Sequence, residues 1–170
     1  MKEEFDRVSY VFRDYLYNFV RLMKEKYHED LLSIILFGSV ARGKWNNESD
    51  IDLFIIFTNK LSIKNGLNNQ LTKIISDYER KSKLKNSKGD RLFSTIQDIS
   101  LLLKDLHTFR TIFYDIAMDG IIIFDRNKTG FHFLKRIRKR IEEKGLRRVF
   151  IKENDYYWER NVKFGEIIEL

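Results

Sequence analysis

Two aspartates separated by one residue, Asp50 and Asp52, are the side chains of this sequence best suited to bind a divalent cation. They stand at the start of an apolar run. In a strand, side chains two apart lie on the same face, with Cα atoms roughly 6–7 Å apart. Two carboxylates so close repel each other unless a cation lies between them. Mg²⁺ is the expected cation, because one or two carboxylates and substrate phosphates commonly hold it. A turn or a helix cap is the alternative explanation of the pair.

A glycine and a serine, Gly38 and Ser39, end an earlier apolar run eleven residues before the aspartates. The glycine permits a tight turn, and the serine can cap a short helix over 40–44. Backbone N–H groups at such a point bind phosphate, and Arg42 and Lys44 add positive charge. An ordinary helix cap is the alternative, as is a salt bridge for Arg42. If the two apolar runs form neighbouring strands, both features face one triphosphate and its metal ion.

Gly38-Ser39, Arg42-Gly43 and Asp50-Ile51-Asp52 together resemble the signature of the DNA polymerase beta nucleotidyltransferase superfamily. The similarity is greatest to its small "minimal" prokaryotic members, and the signature covers residues 31–57. The segments DIAMDGIIIFDR and DYYWERNVKFGEIIEL look, more loosely, like those of archaeal single-domain relatives. The resemblance implies a nucleotidyltransferase fold and an enzyme.

The implied reaction moves a nucleoside monophosphate from an NTP, expected to be ATP, to a hydroxyl acceptor and releases pyrophosphate. Mg²⁺ or Mn²⁺ is the implied cofactor. Gly38 and Ser39 would hold phosphate, and Asp50 and Asp52 would be catalytic metal ligands. The superfamily normally supplies a third carboxylate from a later strand, and Asp98 is the first candidate by position. Asp90, in a turn, is the second. A solvent-facing strand residue is the alternative role for Asp98.

The acceptor is not named by the motif and can be a protein, an RNA or a small molecule. Minimal members often act as antitoxins that adenylylate a helical partner toxin, so such a toxin is one expected partner. A degenerate, non-catalytic protein that binds nucleotide or RNA is the remaining alternative.

The elements that must position these residues alternate between helix and strand, which predicts an α/β or α+β fold with a mixed sheet of about four or five strands flanked by helices. We expect one domain over 1–170. The predicted helices are 2–27, one marked by Leu67 to Tyr78, 105–118 and the basic helix 129–144. The predicted strands are 31–38, 50–57, 91–104, 121–125 and 147–151.

Composition excludes some function classes and leaves others open. The chain has no Cys, so thiolate chemistry and disulfides are excluded. It has no apolar run near the ~20 residues of a membrane span, and its charged start does not resemble a signal peptide, so a cytoplasmic protein without membrane partners is expected. The net charge is +7. Nine Lys or Arg against two Glu lie between 128 and 148, which indicates either a polyanion surface or a solvated helix face.

Overall fold

The computed structural model describes residues 5–61, 67–82, 84, 95–152 and 155–160. The helices are α1 (Tyr10–Tyr27), the short α2 (Gly38–Ala41), α3 (Leu67–Lys81), α4 (Ile112–Asp119) and α5 (Thr129–Glu143). The strands are β1 (Leu31–Phe37), β2 (Ile51–Phe57), β3 (Ile96–Leu102), β4 (Ile121–Asp125), β5 (Leu146–Lys152) and β6 (Asp155–Arg160). Two 3₁₀ turns, His28–Asp30 and Leu103–His107, join them. No helix within these ranges is both long enough and apolar enough to cross a membrane.

The main sheet has four strands in the order β3-β2-β1-β4. β1 runs antiparallel to both β2 and β4, whereas β3 runs parallel to β2. Every residue of β1 is buried, as expected of an apolar run that is covered on both faces of a sheet. The prediction of a mixed sheet flanked by helices is confirmed, with four strands.

The two faces of the sheet carry different helices. Alternate residues of β2, such as Leu53, pack against α1 and α3 on the first face. The intervening residues, such as Phe54, pack against α4 and α5 on the second face. α1 reaches the first face with apolar residues spaced three and four apart, the helical period: Phe12, Leu16, Phe19, Met23 and Tyr27. This alternation decides to which side of the sheet each polar side chain of a strand points.

Three predicted elements have different bounds in the structure. The helix expected over 2–27 is interrupted before Tyr10: Phe5 is helical, a turn follows, and α1 begins at Tyr10, while 2–4 lie outside the described residues. The helix expected over 105–118 divides into a 3₁₀ turn and α4, because Thr108 is extended between them. The strand expected over 91–104 is β3, and 91–94 lie outside the described residues.

The fifth predicted strand does not join the main sheet. β5 pairs instead with β6 in a separate antiparallel hairpin, here called the C-terminal hairpin (Leu146–Lys152 and Asp155–Arg160). β5 lacks the continuous apolar run of β1, and several of its residues are exposed. A strand of that pattern gains little from burial between two helix layers. It lies instead beside α5, and Arg148 reaches the side chains of Asp115 and Asp119 on α4.

Candidate functional site

The end of β1 and the start of β2 lie side by side. The strands are antiparallel, and Phe37 is paired with Asp52. Gly38 follows directly, and Asp50 precedes β2 by one residue. The Gly-Ser segment and the two aspartates, which the sequence places eleven residues apart, therefore share one end of the sheet. This is the neighbour relationship that a common site requires.

Gly38 lies so close to the carboxylate of Asp52 that a side chain at this position would displace that carboxylate. A Cβ added to Gly38 would lie 2.0 Å from Asp52 Oδ2, and the backbone φ is +72°, which disfavours residues with a side chain. The four-residue helix α2 begins here, and the Lys44 N–H donates to the Ser39 carbonyl at 2.9 Å. The glycine thus brings the backbone of the turn against a carboxylate of the pair.

The ionised form of Asp52 is disfavoured in the protein without a bound metal ion. Burial, followed by repulsion from Asp50, raises the pKa of Asp52 from 3.8 to about 6, and Arg42 partly opposes this increase. Asp50 is exposed, and its Oδ1 accepts a hydrogen bond from the Thr95 hydroxyl at 2.7 Å. A divalent cation between the carboxylates would offset both the burial penalty and the repulsion. The donor set therefore fits Mg²⁺ or Mn²⁺.

Asp98 does not lie with this pair, contrary to the position expected for it. In the parallel pairing of β2 and β3, Asp98 is opposite Leu53, and Gln97 is opposite Asp52. Paired residues of neighbouring strands point to the same face, so Asp98 shares the α1 and α3 face with Leu53. Its Oδ2 there accepts the Ser100 hydroxyl at 2.7 Å, and its charge helps to raise the pKa of Tyr27, after burial of that ring.

The residue beside Asp52 on β3 is consequently an amide, Gln97. Its Nε2 donates to Thr95 Oγ1 at 3.2 Å, which connects it to Asp50 through the threonine. Across the described ranges, no group of three or more His, Asp or Glu side chains is placed to hold a metal ion. Asp90, the second candidate for a third carboxylate, lies outside those ranges.

Arg42 forms a salt bridge, which is the alternative role that the sequence suggested for it. Its Nη1 donates to Asp119 Oδ2 at 2.7 Å. Asp119 ends α4, 77 residues further along the chain. The guanidinium nevertheless acts electrostatically on Asp52, so Arg42 belongs to the site as well as to the salt bridge. Lys44 is exposed in the same loop.

A group of partly buried polar residues beside Arg42 was missed by sequence reasoning. We call it the α4–hairpin cluster: Asp115, Asp119, Arg148, Tyr156 and Trp158. No local spacing connects its members, because three of them come from the C-terminal hairpin and two from α4. The clue available in the sequence was the pair of aspartates four apart on α4, which share one face of a helix.

The basic helix, α5, uses several of its charges inside the protein. Arg136 donates to the Leu106 carbonyl at 2.9 Å, and Arg138 donates to the Ala117 carbonyl at 2.8 Å. The Arg140 guanidinium lies 4.4 Å from the centre of the Phe109 ring. These contacts fasten α5 to the rest of the second face and give its arginines a structural role.

Comparison with known proteins places the site within a known protein family. The family model described as "Polymerase beta, Nucleotidyltransferase" matches residues 22–129, which include both strands, the Gly-Ser turn and the two aspartates. The chain therefore belongs to the polymerase beta nucleotidyltransferase family, and it is a nucleotidyltransferase. The resemblance noted in the sequence is confirmed.

Two curated relatives come from Methanocaldococcus jannaschii, and both carry the name of a candidate protein adenylyltransferase. The first is 29% identical over 150 residues, which cover 88% of this chain and 92% of the relative. The second is 53% identical over 38 residues, which cover 22% and 38%. The first match spans nearly the whole of both proteins.

Chains of two solved toxin–antitoxin structures match this chain at low sequence identity. A chain from a toxin–antitoxin crystal structure with AMP-PNP has a TM-score of 0.48 and 15% identity, over 74% of this chain and 85% of that one. A chain from the complex of a tri-AMPylated Shewanella oneidensis HEPN toxin with its MNT antitoxin has a TM-score of 0.46 and 14% identity, over 74% and 82%.

Proposed function

We propose that this protein is a protein adenylyltransferase that uses ATP and Mg²⁺ or Mn²⁺, in the cytoplasm, to transfer AMP to a hydroxyl group of an acceptor protein. The observation that carries the proposal is the contact between Gly38 and Asp52, which joins the Gly-Ser turn to the carboxylate pair. The names of the two relatives support AMP as the transferred group and a protein as the acceptor.

Each site residue has one role in this proposal. Asp50 and Asp52 hold the divalent cation, and Gly38 and Ser39 hold triphosphate oxygens through backbone N–H groups. Lys44 and Arg42 contribute positive charge near those oxygens. A cation bound there would supply positive charge that offsets the charge of the triphosphate. The acceptor hydroxyl releases its proton to solvent as its oxygen forms a bond to the α-phosphorus. The bond from that phosphorus to the bridging oxygen of the β-phosphate breaks, and pyrophosphate leaves.

The first test requires no acceptor. An ATP analogue with a methylene group between the α- and β-phosphorus atoms cannot transfer AMP, so its affinity reports binding alone. We expect calorimetry with Mg²⁺ to show binding by the wild type and by Asp98→Asn, and a loss of at least about tenfold in Asp52→Asn. Equal loss in Asp98→Asn, which lies on the other face of the sheet, would contradict the assignment. Absence of binding by the wild type would overturn the proposed function.

The second test identifies the acceptor class. The protein is incubated with ATP labelled at the α-phosphate and with separate protein, RNA and small-molecule fractions of a cell extract. Label that enters the protein fraction with the wild type, and not with Asp50→Asn, supports the proposal. A small helical protein that copurifies and carries the label would make it an antitoxin. RNA binding that is equal in Asp50→Asn, with no transfer to any fraction, would favour the non-catalytic alternative.

A further inference from the structure

One carboxylate connects the candidate site to the C-terminal hairpin. Asp119 Oδ2 accepts a hydrogen bond from Arg42 at 2.7 Å, and its other oxygen, Oδ1, accepts one from Arg148 at 2.8 Å. Arg42 lies in the loop after α2, Asp119 ends α4, and Arg148 lies in β5. Three separate segments of the chain therefore meet at a single side chain, and one of them is the family motif.

The meeting point is dry enough for these contacts to be strong. The exposed side-chain fractions are 7% for Asp119, 9% for Arg148 and 21% for Arg42. Charge-assisted hydrogen bonds shielded from water hold their geometry better than exposed ion pairs, which salt and side-chain entropy weaken. The connection between the hairpin and Arg42 is consequently a rigid one.

Asp115 fixes Arg148 from the other side. Its Oδ1 accepts hydrogen bonds from Arg148 at 3.2 Å, from the Tyr156 hydroxyl at 2.7 Å and from the Trp158 indole N–H at 3.0 Å. The Arg148 guanidinium also lies 4.3 Å from the centre of the Tyr156 ring. Arg148 is thus held by Asp115 and by the aromatic ring of Tyr156 on its partner strand. These contacts fix its position independently of its hydrogen bond to Asp119.

We propose that Asp119 and Arg148 are positioning residues for Arg42, and that the C-terminal hairpin is a working part of the nucleotide site. This inference rests on the proposed function. The contact with Asp119 occupies one of the five N–H donors of Arg42, so the guanidinium can be fixed by the protein and still donate to a triphosphate oxygen. Without Arg148, Asp119 turns toward other donors and Arg42 loses its fixed direction.

The expected consequence is weaker nucleotide binding that acts through Arg42. Arg148→Lys keeps the positive charge but cannot span two carboxylates with a planar fork. We expect it to bind the non-transferable ATP analogue with Mg²⁺ about tenfold less tightly than the wild type, the effect of one misdirected charge-assisted hydrogen bond. Arg147→Lys is the matched control, because Arg147 lies next in the chain and pairs with Glu159 on the hairpin, away from Asp119.

A double-mutant cycle distinguishes positioning from general support of the fold. If Arg148 acts through Arg42, Arg148→Lys will not weaken binding further in an Arg42→Ala background. If the tenfold loss persists in that background, or if Arg148→Lys binds as well as the wild type, the inference is overturned. A wild type that binds no nucleotide would instead refute the proposed function. Arg148→Met leaves Asp115 without a cation and Asp119 with Arg42 alone, and can fail to fold. In that case Arg148→Lys and Asp119→Asn decide, and both should weaken binding only where Arg42 is present.

Discussion

Replacement of Asp52 by Asn should make the metal-free protein more stable above neutral pH. The folded protein raises the pKa of this carboxyl from 3.8 to about 6, first by burial and then by repulsion from Asp50. The folded state consequently binds the Asp52 proton more tightly than the unfolded state does. Stability from this proton is fully present below pH 3.8 and is lost as the pH rises through about 6. Asn carries no such charge at any pH.

The magnitude follows from the same two values. A difference of about two pKa units corresponds to about 3 kcal/mol, at about 1.4 kcal/mol per unit. Asp52 is only partly buried, and solvent screening reduces this to about 1–2 kcal/mol. We therefore expect Asp52→Asn to gain about 1–2 kcal/mol in free energy of unfolding at pH 7.5, and little near pH 4.5.

Urea denaturation with a chelator present, at several pH values between about 4.5 and 7.5, measures the difference in free energy of unfolding between Asp52→Asn and the wild type. Glu48→Gln is the matched control, because it removes one negative charge from an exposed position in the loop that precedes β2. A gain in Asp52→Asn that does not change with pH, or an equal gain in Glu48→Gln, would refute the argument. Addition of Mg²⁺ should stabilise the wild type and leave Asp52→Asn nearly unchanged, since the cation needs both carboxylates.

The remaining predictions concern the turn, the third strand and the first face of the sheet. Gly38→Ala should lower AMP transfer at least about a hundredfold by displacing the Asp52 carboxylate, whereas Gly43→Ala, with a similar positive φ but open space around it, should cost only stability; equal transfer by both would contradict this. Gln97→Asp should tighten Mg²⁺ binding in calorimetry, because it places a third carboxylate beside Asp52. Unchanged affinity for Mg²⁺ would show that the side chain at position 97 does not reach the Asp50–Asp52 pair. Tyr78→Phe should cost about 1–2 kcal/mol in urea denaturation, because a buried carbonyl of α1 loses its donor, and an unchanged midpoint would contradict that.

The motif could be predicted from sequence because its constraints are local. An apolar run that ends at Gly38, a polar loop and a second apolar run after Asp52 specify two strands joined by a short connection, and such strands pair as neighbours. Once they pair antiparallel, the end of one meets the start of the next. Chain order and strand periodicity were therefore sufficient to bring these two residues together.

The position of Asp98 could not be predicted in the same way. Strand periodicity shows that 96, 98, 100 and 102 share a face, but it does not say which face. That depends on the register between β3 and β2, and a shift of one residue exchanges the two faces. The structure pairs Ile51 with Ile96, which sends Asp98 toward α1 and leaves Gln97 beside Asp52.

The contacts of Arg42 could not be predicted from the sequence at all. They give the C-terminal hairpin a proposed role at the nucleotide site. Arg42 and Asp119 are 77 residues apart, and Asp119 and Arg148 are 29 apart. Nothing in the motif requires a buried carboxylate at the end of α4. A partly buried arginine beside two aspartates must still be directed, because an undirected guanidinium would pair with Asp50 and Asp52 and occupy the place of the cation. Asp119 keeps Arg42 close enough to oppose the rise in the pKa of Asp52, and directs the guanidinium away from the two aspartates. On this proposal the hairpin holds Asp119 in place, so Arg148, which lies outside the matched residues 22–129, supports the nucleotide site inside them.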